Sequence, residues 1–245
     1  MYNGERFIAE CIESVQAQTF TDWEMIVVDD YSSEGDHGAD IAQGYADKDA
    51  RIRIIRSYEN KGSSGTRNIA LKEARGRYIA FLDCDDVWHA DFLEHQLEFM
   101  KYKDASLVFS SYKRIDEDTK EEILRPFIVP DKVNYSSLLR TCPIFPSTVI
   151  YDRDKTGLFL FNEKMGSLRD DYAYWLNMLK KVDYAFGNSE ILVDYRMRKT
   201  SVTGNKKKVI VPQWRVLRDV EKLPLYHAVY CIAWWAVASF FKYRK

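Results

Sequence analysis

Histidine is scarce in this chain: four residues in 245, His37, His89, His95 and His227, with no ligand spacing among them. The four cysteines, Cys11, Cys84, Cys142 and Cys231, are as scattered, and make neither a CxxC pair nor a metal-ligand cluster. Dithiol redox chemistry and a cysteine-held zinc are therefore excluded, and the cysteines read as free thiols of a reducing compartment. Excess charge is missing too. With 36 basic against 37 acidic residues, nothing provides a whole-surface attraction to nucleic acid, and none is expected as a partner. No signal peptide opens the sequence, which predicts a cytoplasmic location. Internal repeats and low-complexity linkers are also absent, so one compact domain with a C-terminal extension is the economical reading.

What the chain does have is acid at the ends of short apolar runs. Tyr78-Ile79-Ala80-Phe81-Leu82 leads directly into Asp83, Asp85 and Asp86. Such a run, bounded by polar residues, reads as a buried strand. In open α/β sheets, ligands bind beyond the carboxyl ends of strands. Three carboxylates this close resist full ionisation unless a cation compensates. Mg²⁺ or Mn²⁺, completed by phosphate oxygens, meets that need. The competing reading has Asp86 capping a helix that starts near Val87. Trp23 to Val28 repeats the pattern and ends in Asp29-Asp30.

Asn3 stands as the N-cap of a helix that places Phe7, Ile8, Cys11, Ile12 and Val15 on one face. Strands are predicted over 23–28, 52–55 and 78–82, and helices over 38–47, 69–74 and 90–101, with 60–68 as a Gly/Ser loop. That alternation predicts a mostly parallel sheet covered on both faces. Beyond it, 106–114 is strand-like, and 118–147, with Pro126, Pro130, Pro143 and Pro146, suits a loop-rich segment. A helix is expected over 170–181 with Asp170 as its cap, then an extended stretch over 184–196 and a polar helix over 206–222. Trp175 and Trp214 read either as core or as groove aromatics.

Taken together, YNGERFI, VVDDYSS, NKGSSGTRN, FLDCDD, RDDYAYWL and DYRMRKTSV resemble the family-2 glycosyltransferases of bacterial surface-polysaccharide assembly, inverting enzymes with the GT-A fold. The resemblance runs from Tyr2 to about residue 206. It implies a Rossmann-like catalytic domain over 1–205, with a nucleotide-sugar half over about 1–105 and an acceptor half over about 106–205. It implies that Tyr2 packs near the nucleotide base and that Asp30, beside Asp29, accepts from the imide N–H of uracil. It places Arg67 near the nucleotide and makes Asp83 and Asp85 a DXD-type motif, with Asp85 on the metal and Asp83 on the ribose or the metal's shell. Asp171 matches the catalytic base, the second acid of an ED pair in which Asp170 here replaces Glu. Arg196, Arg198 and Lys199 are expected as supplementary charges on the diphosphate.

Two departures accompany the resemblance. Many relatives have YRxH where this chain has DYRMRKTS, so Arg198 stands in place of a histidine near the metal; arginine clamps phosphate but cannot ligate a cation. Ahead of Tyr2 the family carries a central strand of the form VSVIxPxYN, of which this chain shows only the end. The expectation is that the start lies too late and that strand 23–28 lacks its central neighbour.

The implied activity is metal-assisted, inverting transfer from a nucleotide-diphosphate sugar, UDP-linked by expectation, to a saccharide or lipid-linked glycan. A nucleotidyltransferase would need a basic Gly-rich loop after its first strand, and YNGERF is not one. The rival outside catalysis is an inactive relative that binds nucleotide-sugar or partners only. Residues 206–245 are expected as a helical extension. Leu223 to Phe241 contains no Asp, Glu, Lys or Arg, yet Tyr226, Tyr230, Trp234 and Trp235 suit an interface better than a hydrocarbon centre. A helix lying on the inner membrane surface, or packed on the domain or a partner, is the expectation, and a homodimer is compatible with it.

Overall fold

A computed structural model describes residues 1–198 and 206–242; Lys199 and the basic end, Arg244 and Lys245, lie outside the described residues. The first third alternates as expected: α1 (Ile8–Gln16), β1 (Met25–Asp29), α2 (Gly38–Ala46), β2 (Ile52–Arg56), α3 (Gly62–Glu73) and β3 (Tyr78–Ala80). α1 buries Ile8, Cys11, Ile12 and Val15, the spacing of one helical face. Its start differs from the expected one. Asn3 takes a φ of 49° and exchanges hydrogen bonds with Ser33, so α1 begins without a side-chain cap.

α3 also begins earlier than the sequence suggests. The expected loop forms its first turns, with Gly62 at a φ of 67° and Thr66 Oγ1 donating to the Gly62 carbonyl. Only glycine adopts that φ without penalty.

The chain continues through β4 (Val87–Trp88), α4 (Phe92–Tyr102), β5 (Leu107–Asp116), β6 (Glu122–Phe127), β7 (Lys132–Val133), α5 (Tyr135–Leu138) and β8 (Val149–Asp152). Then follow α6 (Arg153–Thr156), α7 (Asp170–Met178), β9 (Ala185–Met197), α8 (Lys206–Arg215), a π-helical turn (Val216–Val220) and α9 (Leu225–Lys242). β6, β7 and α5 occupy the stretch expected to be loop-rich.

Two sheets result. β1 and β2 pair in parallel, while the larger sheet runs β3-β8-β5-β9-β4, with β6 on β5 and β7 on β9. Within the larger sheet β5 and β9 are parallel, and the other pairings are antiparallel. The expected parallel order therefore gives way to a mixed sheet after β3, because antiparallel returns can be short where parallel ones need long crossovers. The main core lies where this sheet meets α7, around Leu107, Phe109, Tyr151, Tyr174 and Leu176. Trp175 is fully buried there and is a core aromatic; Trp214 packs at its margin.

A seam separates the sheets. The edge of β1 away from β2 and the edge of β3 away from β8 face one cavity of about 1640 Å³, lined by every residue from Trp23 to Val28 and from Gly76 to Asp85. Ile8, Cys11 and Val15 of α1 and Thr66, Ala70 and Leu71 of α3 add apolar and small side chains to its wall. Met1 enters one end. Its amino group donates to the Val28 carbonyl at 2.7 Å, and its carbonyl accepts from the Asp30 N–H at 2.8 Å. Those two bonds are one step of a parallel ladder opposite Asp29. At the other end Glu24 Oε1 accepts from the backbone N–H groups of Arg75 (2.5 Å) and Gly76 (3.0 Å), fastening the start of β1 to the approach to β3.

Among the described residues no helix is long and apolar enough to cross a membrane. α9 buries Ala228 and Cys231 and exposes Leu225, Tyr226, Val229, Tyr230, Trp234 and Val237.

Candidate active site

Both acid pairs stand at carboxyl ends of strands, and Asp30 of the first and both acids of the second line the same cavity. β1 delivers Asp29 and Asp30, and β3 delivers Asp83 and Asp85; Tyr2, Asp30, Arg67, Asp83, Asp85, Asp170, Asp171, Arg196 and Arg198 all line that cavity. Asp29 is tied to the Ser32 hydroxyl at 2.5 Å. Asp30 is buried, with one oxygen accepting from the Lys61 N–H at 2.7 Å. Tyr2 is half exposed at the rim, its hydroxyl 3.5 Å from Ser33 Oγ.

Arg67 is the joint between the sequence-distant acids. Its guanidinium donates to Asp83 at 2.6 Å and to Asp170 at 3.3 Å, beside the Phe161 ring. Burial alone would lower its pKa, but the charges of Asp83 and Asp170 outweigh that and hold it above the ordinary arginine value. Asp170 does not serve as the N-cap expected of it. Arg169 takes that position, and the buried Asp170 carboxylate accepts from the hydroxyls of Ser63 (2.8 Å) and Ser64 (3.2 Å). The shorter Asp in place of Glu thus sits against the first turn of α3.

Asp171, the next residue, accepts from the Tyr172 N–H at 2.7 Å. Removal from bulk water, then the charge of Asp170, raise its pKa, with Arg169 and Arg67 partly offsetting them. A carboxylate made more basic than usual, on a cleft wall, is suited to accept a proton.

Asp85 lies 3.5 Å from Arg198 Nη1. Burial, then the neighbouring Asp83, raise its pKa, and Arg198 compensates only in part. Asp86 does not cap a helix. It is buried, accepts from Ser147 Oγ at 2.6 Å and from the Arg196 N–H at 3.1 Å, and burial followed by its two acidic neighbours pushes its pKa well up. Arg196 is equally engaged: its guanidinium donates to the Asp85 carbonyl (2.8 Å) and to Glu10 (2.9 Å). It therefore shapes the acidic turn, while Arg198 remains the partly exposed cation at its mouth. Burial pushes the Cys84 thiol up to about 12, which leaves it protonated and unfit as a nucleophile.

The donor set fits a hard divalent ion in one respect. Asp85 supplies carboxylate oxygen where negative charge is undercompensated, and Mg²⁺-like ions are commonly held by one or two carboxylates plus substrate phosphates. Among the described residues no group of three His, Cys, Asp or Glu forms a protein-only cage. Asp83 is paired to Arg67 at 2.6 Å and Asp85 to Arg198 at 3.5 Å, which leaves Asp85 as the more loosely held ligand.

Three participants escaped sequence reasoning. Ser147 positions Asp86 and also accepts from the Asp83 N–H at 3.1 Å. Arg169 takes a left-handed backbone (φ 66°), and Trp235 of α9 lines the cavity against the Arg169 guanidinium. Only the RDD spacing before α7 could have pointed to one of them, Arg169.

The profile of glycosyl transferase family 2 matches residues 1–159, and the chain belongs to that family. It is a glycosyltransferase with the GT-A fold. Over 238 residues it is 38% identical to a Bacillus subtilis (strain 168) protein named as a teichuronic acid biosynthesis glycosyltransferase, TuaG, covering 96% of this chain and 91% of that one. It is 35% identical to the Escherichia coli UDP-Glc:alpha-D-GlcNAc-diphosphoundecaprenol beta-1,3-glucosyltransferase WfgD, over 94% of this chain and 88% of that one. The crystal structure of S. aureus TarS 1-349 in complex with UDP-GlcNAc is similar in fold, with a TM-score of 0.69 at 19% identity, over 96% of this chain and 69% of that chain.

Proposed function

We propose that the protein transfers a sugar, with inversion, from a UDP-sugar to a hydroxyl of a lipid-linked glycan, in the assembly of a bacterial surface polysaccharide. The observation that carries this reading is Arg67, which joins Asp83 of the β3 end to Asp170 beside Asp171, so that donor acids and base share one cleft. The names of the E. coli and B. subtilis relatives support the lipid-linked acceptor and the surface-polysaccharide setting.

Residues 1–205 form the catalytic domain in this reading, with the donor half ending near 105. Tyr2 and Asp30 hold the base, Asp30 accepting from the uracil imide. Asp83 meets the ribose side, held in place by Arg67. Asp85, with Asp83 next to it, would hold Mn²⁺ or Mg²⁺, which when bound stabilises the departing diphosphate as a Lewis acid. Arg198 adds a guanidinium that can fork onto phosphate oxygens, and Arg196 keeps the Asp85 loop in position. Asp171 takes the proton of the acceptor hydroxyl as its oxygen bonds to the anomeric carbon. The bond from that carbon to the diphosphate oxygen breaks on the opposite face, and UDP leaves with the electron pair. The exposed aromatic stripe of α9 lies on the inner membrane surface, near the lipid-linked acceptor.

Thermal unfolding with UDP, GDP and dTDP, each with and without Mn²⁺, tests the donor site in wild type and Asp85→Ala. A ligand at a hundred times its dissociation constant should raise the midpoint by roughly 5–10 °C. The expected result is a Mn²⁺-dependent rise with UDP that Asp85→Ala loses. A second reading, binding without transfer, draws on Arg198 standing at Asp85 and on the unpaired strand edges at the seam. No shift with any nucleotide would refute both.

A further inference from the structure

We propose that Arg169, stacked on Trp235, is the seat for the acceptor's diphosphate, the anionic link between the receiving sugar and its lipid; this rests on the lipid-linked acceptor reading above. Arg169 directly precedes the two acids of α7 and lines the cavity with Thr141, Cys142, Asp171 and Trp235. Its guanidinium stands 5.3 Å from the centre of the Trp235 ring and 5.8 Å from that of Tyr172. Its Nε is buried and donates to nothing.

The contrast is with the arginines around the Asp83–Asp85 turn. Arg67 is spent on Asp83 and Asp170, Arg196 on Glu10, and Arg198 faces Asp85. Among the described residues Arg169 makes no ion pair or hydrogen bond to a carboxylate, although its charge acts on Asp171. A guanidinium that is stacked, partly buried and bound to no carboxylate has its hydrogen-bonding edge available for a planar fork onto phosphate oxygens. Its backbone is left-handed (φ 66°, ψ 14°) although it is not glycine. Such strain persists where the surroundings over-determine it, and it clusters at ligand-binding positions. The preceding ring on α9 also carries a cation: Arg140 stands 5.5 Å from the ring centre of Trp234.

The position selects the acceptor's diphosphate over the donor's. Donor phosphates belong with Asp85 and its partner Arg198, whereas Arg169 stands against Trp235 and Tyr172. The receiving hydroxyl must meet Asp171, so the next group along a sugar–diphosphate–lipid falls beside the residue before Asp171. The lipid would then leave over Trp234, Tyr230 and Tyr226, whose side chains are exposed on α9.

The test is binding, so it does not require the right sugars. The full chain, saturated with UDP to occupy the donor site, is titrated with farnesyl diphosphate, farnesyl monophosphate and farnesol while tryptophan emission is followed. Wild type should bind the diphosphate at least tenfold more tightly than farnesol. Arg169→Asn, which suits a left-handed backbone, should erase most of that preference and leave farnesol and UDP affinities unchanged. Trp235→Leu should weaken the diphosphate as well, without touching the backbone of residue 169. Equal affinities for diphosphate and farnesol in wild type, or an undiminished preference in both variants, would overturn the proposal. So would a loss of UDP affinity in Arg169→Asn matching the loss of farnesyl diphosphate. If UDP fails to bind wild type, the donor reading falls, yet the titration without UDP still decides the seat.

Discussion

The two sheets of this molecule solve the same problem with unequal means. The larger one ties β3, β8, β5, β9 and β4 into a continuous ladder and backs it with an aromatic core around Phe81, Phe161, Tyr174 and Trp175. The smaller one is a single pair, β1 and β2, whose other edge faces the seam. Yet the smaller sheet carries Asp30 and the larger carries the Asp83–Asp85 turn and α7. The cleft therefore depends less on either sheet than on the contacts across the seam, among them the Met1 step opposite Asp29, Glu24 at the far end, and the Cys11, Ser14 and Gln18 side chains of the α1 region reaching Asp83, Trp88 and His89.

The largest effect should come from the larger sheet's own chemistry. Asp171→Asn should lower turnover by about 10²–10⁴-fold, the range for a positioned general base, and leave UDP affinity unchanged. Because the Asp171 pKa is raised, kcat/KM in wild type should climb with pH through a midpoint above the ordinary carboxylate range, as the base becomes ionised. The linked stability runs the other way. A carboxyl whose folded pKa exceeds its unfolded one stabilises the fold at low pH and loses that contribution as pH rises through the folded value. Unfolding midpoints of Asp171→Asn should thus match wild type in acid and exceed it at neutral pH. A variant with normal turnover would break the assignment of the base.

Next in size is the joint. Arg67→Met leaves Asp83 and Asp170 without their shared cation, and breaking a buried ion pair from one side costs about 3–5 kcal/mol. Chemical denaturation should show a loss of that order, and one well below 1 kcal/mol would mean the carboxylates find solvent instead.

The seam itself can be sharpened by filling it. Four apolar, β-branched residues fused ahead of Met1 would continue the ladder step along β1, opposite Met25 to Val28. We expect a rise in unfolding midpoint of roughly 5 °C or more, since about 1 kcal/mol corresponds to 2–4 °C at this chain length. An extension of equal length with two prolines, which cannot donate to a ladder, should leave the midpoint where it was. Equal effects from both would show that the seam does not take a strand. The smallest change is at the base site: Asp30→Asn replaces a charge-assisted bond to the uracil imide by a neutral one, and UDP affinity measured by calorimetry should fall about tenfold.

The same contrast explains what was legible beforehand. Strand-end acids are local features: an apolar run followed by Asp83 or Asp29 announces itself, and β1, β2, α2 and α4 fall close to their expected spans. Contacts that close over long stretches of chain do not. Ser63 and Ser64 look like loop residues because glycine and serine dominate their neighbourhood, but their partner is Asp170, 107 and 106 residues further on. β6 and β7 gain their definition from pairing with β5 and β9, not from their own sequence. Asp86 resembles a cap until Ser147 and the Arg196 N–H claim both of its oxygens.

That the seam is open has a volumetric consequence. Unfolding eliminates internal void space, and pressure favours whichever state occupies less volume. The cleft of about 1640 Å³ between the two sheets is open to solvent at a rim that includes the exposed Tyr2, so water fills it in both states and it adds little to that volume change. Hydrostatic pressure should therefore act on this fold through the closed core around Tyr151 and Trp175 and not through the seam.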